Sequence, residues 1–86
     1  MKFKAIIFVR LREKVSDAAG NAVRANVNRV CDMEEPSKLR LGKCIDLEFK
    51  APDREHANRE LAKVSDQLFA NTVIEDWSYE LAEITE

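Results

Sequence analysis

The chain has 86 residues, a formal net charge of −2 at pH 7, 45% hydrophobic and 35% charged residues, and only two glycines and two prolines. This length predicts one domain over residues 1–86, and so little glycine and proline argues against a disordered or linker-rich chain. The acidic balance, without a stripe of Lys and Arg, excludes the pattern of a nucleic-acid-binding domain, and no apolar run approaches the ~20 residues of a membrane span.

The N-terminal apolar stretch is too short for the core of a signal peptide. Arg10 and Arg12 follow it where small residues would mark a cleavage site. The two cysteines, Cys31 and Cys44, lack the spacing of a disulfide framework, which is typical of reduced thiols. We therefore expect a cytoplasmic protein.

Residues 2–12 are predicted to form a β-strand, because apolar side chains recur at every second position. The side chains on the inward face are Phe3, Ala5, Ile7, Val9 and Leu11. Lysines and arginines occupy most of the opposite face, which is therefore expected to meet water.

Ile6 and Phe8 interrupt this pattern, because they are apolar and lie on the polar face of the strand. Two explanations remain open: the chain's own structure covers them, or a partner chain does. We prefer the partner chain, since so small a domain has little left to use as a lid. Full burial would be worth ~1.5–3 kcal/mol for each side chain, so the sequence predicts self-association through this pair.

A first helix is predicted over residues 18–31, after a capping position at Ser16-Asp17. Its apolar stripe is formed by Val23, Val27 and Val30. A polar connector follows, and Pro36 blocks any continuation of the helix.

Residues 38–50 form the second extended segment, in which the apolar side chains keep one parity throughout. Gly42-Lys43 interrupts the middle of the segment. Two alternatives remain, one long strand with a bulge or a tight hairpin, and the unchanged parity favours the bulged strand.

A second helix begins after Asp53, and Asn71 is predicted to end it in a left-handed conformation. Its buried stripe consists of Ala57, Leu61, Val64 and Leu68. A last strand follows over residues 77–84, with Trp77, Tyr79 and Leu81 on one face.

The order of elements is strand, helix, one or two strands, helix and strand. It predicts an α+β fold, a two-layer sandwich of ferredoxin-like character with an antiparallel sheet of three to four strands and two helices on one face. The other face of the sheet must be solvated or covered by a partner.

A search for chemistry predicts no catalytic residue and no metal site. His56 is the only histidine and falls on the polar side of the second helix, and neither cysteine has a histidine near it in sequence. Two cysteines and one distant histidine do not make a structural zinc site. Arg40 and Gly42-Lys43 have a faint phosphate-binding pattern, but with too little glycine and no helix start. Whether a ligand binds there stays open.

Three segments in the right order resemble the PurS family, the small subunit of phosphoribosylformylglycinamidine synthase. The first is Val9-Arg10-Leu11-Arg12 with the residues after it, and the second is Arg40-Leu41-Gly42-Lys43 with its alternating strand. The most specific is residues 68–77, LFANTVIEDW, where the family usually has LLANPVIEDY. The similarity covers nearly the whole chain, with Thr72 and Trp77 as departures.

The resemblance implies a non-catalytic subunit of a glutamine- and ATP-dependent enzyme of purine biosynthesis. Such subunits self-associate, as a dimer or a tetramer, and bridge a glutaminase subunit and a synthetase subunit while helping to enclose the path of ammonia. ATP, Mg and glutamine are then used by the partner subunits, and this chain holds no cofactor.

Family analogy places partner contacts at two segments. The residues concerned are Arg40, Gly42, Lys43, Asn71, Glu75, Asp76 and Trp77. A purely structural role for the second segment stays open, with Asn71 ending the helix, Val73 and Ile74 in the core and Trp77 packed on the sheet.

Two other functions compete with the bridging subunit. One is a regulatory domain of the same sandwich class that binds a small molecule. The other is a stand-alone small enzyme, which the search for chemistry disfavours.

Overall fold

The chain folds around a three-stranded antiparallel sheet made of β1 (Lys2–Leu11), β2 (Gly42–Lys50) and β3 (Glu75–Ile84), with β1 in the centre. The helices are α1 (Ala18–Arg24), α2 (Val27–Val30) and α3 (Arg54–Val64). A π-helical turn, Ser65–Phe69, continues α3. This computed structural model describes residues 1–85.

The core lies between the inward face of β1 and helix α3. Phe3, Ile7 and Val9 are fully buried, as the alternation along the strand predicts. Leu61 of α3 packs on Ile7 and Val9 with 1% of its surface exposed, and the buried Ala57 packs on Phe3. The apolar side chains that recur every second residue in β1 therefore pack against those that recur about every 3.6 residues in α3.

Helix α3 is also tied to the edge strand β3 by side-chain hydrogen bonds. The Tyr79 hydroxyl donates to Asn58 Oδ1 at 2.9 Å, and Arg54 Nη2 donates to the Leu81 carbonyl oxygen at 2.9 Å. Trp77, Tyr79 and Leu81 pack together against the core, so their predicted common face is confirmed.

The α+β class and the antiparallel sheet are confirmed, but the first helix differs in detail from the prediction. It is split into α1 and α2 at Ala25-Asn26. The Asn26 side chain donates to the Ala22 carbonyl oxygen at 2.8 Å and accepts from Arg29 Nη1 at 2.8 Å. Such side-chain bonds compete with the regular helical ladder, which explains the break.

The apolar stripe of this first helical segment is not buried within the chain. Val30 is 86% exposed and Val23 45% exposed. The Cα radius of gyration is 16.7 Å, whereas a compact domain of this length has about 12 Å. The segment therefore adds an open apolar surface instead of enlarging the core.

The second extended segment is neither the bulged strand nor the hairpin of the two predicted alternatives. Residues 38–41 form a loop and the strand begins at Gly42, so the sheet has three strands. A Cβ atom on Gly42 would lie 2.7 Å from the Val9 carbonyl oxygen. The close approach of the two backbones therefore requires glycine at the first position of β2.

The predicted left-handed stop at Asn71 is wrong. No non-glycine residue in the described part of the chain has a positive φ, and Ala70 leaves the helix in an extended conformation (φ −109°, ψ 143°). Ala70 N donates to the Ser65 carbonyl oxygen at 3.0 Å, which closes the π-helical turn. This wider turn ends at Phe69, two residues before Asn71.

Leu61 and Leu68 offer a matched test of the core, because the sequence places both on the same stripe while Leu68 is 74% exposed. We expect Leu61→Ala to lower the free energy of unfolding by ~2–5 kcal/mol, since it leaves a cavity under β1. Leu68→Ala should change it by less than ~0.5 kcal/mol. Urea unfolding of both variants checks the prediction, and equal losses would contradict this position of the core.

Candidate functional site

The predicted contact residues come together at one end of the sheet, which we call the loop end and define by Leu11, Gly42 and Glu75. Because β2 and β3 both run antiparallel to β1, each of them begins where β1 ends. Residues 40–43 and the turn at residues 71–77, about 30 positions apart in sequence, therefore lie on either side of the same strand end.

Arg12 joins the two sides of the loop end. Its backbone N donates to the Ile74 carbonyl oxygen at 2.8 Å, and its guanidinium donates to the Thr72 carbonyl oxygen. Its Nε also lies 3.4 Å from Asp76 Oδ1. On the other side, the carbonyl oxygen of Arg12 accepts from Arg40 Nη2 at 2.8 Å. The sequence did not single out this residue as a link between the segments.

Arg40 stabilises the loop formed by residues 38–41. Besides the bond to Arg12, its Nη2 donates to the Val15 carbonyl oxygen at 2.7 Å. These two bonds tie residues 38–41 to the turn that follows β1. Its assignment as a partner contact stays a prediction, while its guanidinium has a clear structural role.

Asp17 is a second link that sequence analysis recognised only as a helix cap. Oδ1 accepts from Gly20 N at 2.9 Å, which is the predicted cap, and Oδ2 accepts from Leu41 N at 2.9 Å. The side chain is buried, and its two backbone partners, Leu41 first, hold the pKa of Asp17 below its ordinary value. A Cβ atom on Gly20 would lie 2.9 Å from the Leu39 carbonyl oxygen, so the close approach of α1 to this loop requires glycine at position 20.

Lys38 and Glu13 form an exposed ion pair beside these links, with 2.6 Å between Lys38 Nζ and Glu13 Oε1. The hydrogen bond and the charge of Lys38 lower the pKa of Glu13. Both side chains are largely in water, so the pair adds little to stability.

Asn71 and Glu75 build the turn before β3. Asn71 N donates to Glu75 Oε1 at 2.7 Å, and Asn71 Oδ1 accepts from Val73 N at 3.2 Å. At the tip, Val73 is 81% exposed and Ile74 is also exposed, so the alternative that placed both in the core is wrong.

Trp77 lies at the start of β3 and faces inward. Its Nε1 donates to Asp66 Oδ1 at 3.1 Å, and its ring stacks on Tyr79 with 6.1 Å between centroids. Trp77 therefore packs on the sheet, as the structural alternative proposed for it.

Ile6 and Phe8 lie apart from the loop-end links, on the outer face of β1. Ile6 sits between Asp46 and Glu80 in the register, and Phe8 between Cys44 and Ser78. Both are half-buried, and α3 packs on the opposite face of the sheet. Whether a second chain covers them stays a prediction.

The remaining titratable groups of residues 1–85 are spread over the surface. His56 Nδ1 lies 3.0 Å from Arg59 Nη2 on one side of α3, and Cys31 and Cys44 are exposed thiols. In this part of the chain, no three His, Cys, Asp or Glu side chains cluster as metal ligands would. None of its helices is both long enough and apolar enough to span a bilayer.

Comparison with known proteins agrees with this fold and with the resemblance. The family model described as PurS, phosphoribosylformylglycinamidine (FGAM) synthase, matches residues 4–83. The chain belongs to the PurS family. A PurS subunit of phosphoribosylformylglycinamidine synthase from Synechocystis is 41% identical over 75 residues, which are 87% of this chain and 74% of the relative.

Solved structures of PurS proteins have the same architecture. Thermus thermophilus PurS superposes with a TM-score of 0.84 at 27% identity, over 99% of this chain and all of that one. A chain from the structure of PurLQS from Thermotoga maritima gives 0.80 at 33% identity, over 98% of this chain and 99% of that one. The PurS family resemblance is thereby confirmed along almost the full length.

The two hydrogen bonds that Asp17 accepts predict a pH-dependent contribution to stability. Because the pKa of Asp17 is lowered in the folded chain, its contribution is fully present above the ordinary aspartate pKa of ~3.9 and is lost as the pH falls through the folded value. Asp17→Asn removes one of the two acceptors and should lower the urea midpoint at pH 7, with a smaller loss near pH 3.

Asp32→Asn is the matched control, since Asp32 lies in the exposed connector. We expect its unfolding midpoint to follow the wild-type chain at both pH values. A loss for Asp17→Asn that is equally large at pH 3 and pH 7 would contradict the role of the ionised carboxylate.

Proposed function

We propose that this chain is a non-catalytic, cytoplasmic subunit of a glutamine- and ATP-dependent phosphoribosylformylglycinamidine synthase of purine biosynthesis, and that it bridges a glutaminase and a synthetase subunit. The observation that carries the proposal is the match to a chain of the Thermotoga maritima PurLQS structure, at 33% identity over 98% of this chain. The family model and the curated PurS subunits support the same enzyme.

The hydrogen bonds of the polar side chains at the loop end support the proposal that this chain is a structural subunit. Arg12, Asp17, Arg40 and Asn71 direct their hydrogen bonds at the backbone of this same chain. Groups that do so shape a surface, and they are not poised to exchange protons with a substrate. In the proposal, the partner subunits supply the sites for ATP, Mg and glutamine.

The proposed contribution to the reaction is to keep ammonia away from water. Ammonia released from glutamine is protonated in solution and then no longer attacks the activated amide. A wall between the two active sites prevents that loss, which is a recognised purpose of closing an active site. A small bridging subunit with a rigid loop end is suited to form part of such a wall.

Self-association belongs to the same proposal. The outer face of β1 presents Ile6 and Phe8 at its centre, and these half-buried side chains gain free energy when a second copy covers them. We propose a homodimer or a tetramer formed through this face.

Reconstitution tests the bridging function. The glutaminase and synthetase subunits of the same organism are assayed with and without this chain, using either glutamine or ammonium as the nitrogen donor. We expect the chain to be required with glutamine, to matter little with ammonium, and to show no turnover alone. The bridging proposal fails if neither subunit retains the chain in the presence of glutamine and ATP, and a metabolite that instead shifts its melting temperature favours a regulatory domain.

The outer face is tested by Ile6→Ser combined with Phe8→Ser. We expect the dissociation constant of the oligomer to rise at least about tenfold, because each apolar side chain contributes ~1.5–3 kcal/mol when buried. Sedimentation velocity measures the oligomeric state, and circular dichroism confirms that the monomer is folded. Leu68→Ser, on the helical side of the sheet, is the control. An unchanged oligomer in the double variant would refute this interface.

A further inference from the structure

The segment that connects α3 to β3 exposes two large apolar side chains. Leu68 is 74% exposed and Val73 is 81% exposed, and among the large hydrophobic residues at positions 1–85 only Val30 is more exposed. We call Leu68 and Val73 together the apolar tip. Single apolar residues scattered over a surface are ordinary, whereas exposed apolar surface concentrated in one short segment indicates a site of interaction.

Leu68 is exposed because of the π-helical turn. The sequence places it on the stripe of Leu61 and Val64, which pack in the core. The hydrogen bond from Ala70 N to the Ser65 carbonyl oxygen, 3.0 Å long, spans five residues instead of four. The wider turn moves Leu68 off the stripe, and turns of this kind occur frequently at functional sites.

Val73 is held in its exposed position by the hydrogen bonds of the turn. Its own N donates to Asn71 Oδ1 at 3.2 Å, and Asn71 N donates to Glu75 Oε1 at 2.7 Å. The guanidinium of Arg12 donates to the neighbouring carbonyl oxygen of Thr72. Because the turn is ordered before a partner arrives, little conformational entropy is lost when Val73 becomes buried.

Acidic side chains lie on either side of the apolar tip in sequence. Residues 65–77 contain three carboxylates, Asp66, Glu75 and Asp76, and no lysine or arginine. Arg12 Nε lies 3.4 Å from Asp76 Oδ1 and offsets one of these charges, which leaves a net charge of −2 around the tip. A partner surface that carries cations is therefore complementary to this segment.

This charge argues against a second copy of the chain as the partner. A symmetric contact places the same patch of both copies together, so the two acidic borders would face each other and repel. The face already proposed for self-association, with Ile6 and Phe8, lies on the other side of the sheet from the helix that carries Leu68. The larger subunits are therefore the partners that the apolar tip fits.

We propose that Leu68 and Val73 are the anchors with which this chain docks into an apolar pocket of a larger subunit, and that lysines or arginines border that pocket. This inference rests on the proposed bridging function and adds the residues and the chemistry of one contact. It also separates the roles within the segment that family analogy named: Asn71 and Glu75 shape the turn, while the apolar side chains beside them meet the partner.

The test compares Leu68→Ser combined with Val73→Ser against Gln67→Ser, which shortens an exposed polar side chain in the same segment. Each full-length chain is titrated against the glutaminase subunit and the synthetase subunit of the same organism by biolayer interferometry, with glutamine and ATP present. We expect the double variant to bind one of them at least about tenfold more weakly, mainly through faster dissociation, because a few buried anchors dominate the affinity of an interface. Gln67→Ser should stay within about twofold.

Two further measurements accompany the titration. The melting temperature of the double variant should stay within about 4 °C of the wild-type value, because both side chains are largely exposed in the folded chain. Its oligomeric state on sedimentation velocity should be unchanged. The affinity of the wild-type chain should fall as the salt concentration rises, because salt screens the acidic border from the cations of the pocket.

The other outcomes overturn the inference in distinguishable ways. If the wild-type chain binds a subunit and the double variant binds it equally well, the inference fails while the bridging function stands. If the wild-type chain binds neither subunit, the bridging function fails and the inference with it. An altered oligomeric state of the double variant assigns the tip to self-association, a loss from Gln67→Ser as large as that from the double variant removes the role of apolar anchors, and a wild-type affinity that is independent of salt removes the basic border.

Discussion

Antiparallel pairing of β1 with both of its neighbours determines where everything else in the molecule lies. Since β2 and β3 run in the same direction on either side of the central strand, both of them begin at the end where β1 stops. Segments that are far apart in sequence are thereby placed on either side of the same strand end. The pairing itself depends on burying Phe3, Ile7 and Val9 under α3, because a bare three-stranded sheet of this size has no other apolar layer to hold it.

The loop end also shows how a small domain can use charged side chains as structural parts. Arg12, Asp17 and Arg40 bond to backbone groups of loops that have no ladder partner of their own. The bond from Leu41 N to Asp17 Oδ2, for example, satisfies an N–H that would otherwise need water. A cation in a segment that resembles a family motif is therefore not by itself a sign of a ligand, because its hydrogen bonds can all serve the chain's own backbone.

Local periodicity predicted the elements that carry the core and missed those that depend on distant partners. The alternation in β1 and the stripe through Ala57 and Leu61 are properties of neighbouring residues, so the sequence alone reveals them. The residues just before β2 are held instead by Asp17, which accepts a hydrogen bond from the backbone N–H of Leu41, 24 positions away in sequence. In the same way, parity could place Ile6 and Phe8 on an outer face but could not show which side chains flank them, because that requires the register of the sheet.

The surfaces left open by the single chain connect its stability to its assembly. A chain of this length buries only ~60–65% of its unfolded surface, and here the valines of α1 and α2 add exposure instead of burial. Any partner that covers α1–α2 or the outer face of β1 binds the folded chain and not the unfolded one, so it raises the free energy of unfolding by mass action. Folding and association are then thermodynamically linked. For a subunit whose proposed work is to hold two larger proteins together, that linkage makes the assembled state the form in which the fold is most stable.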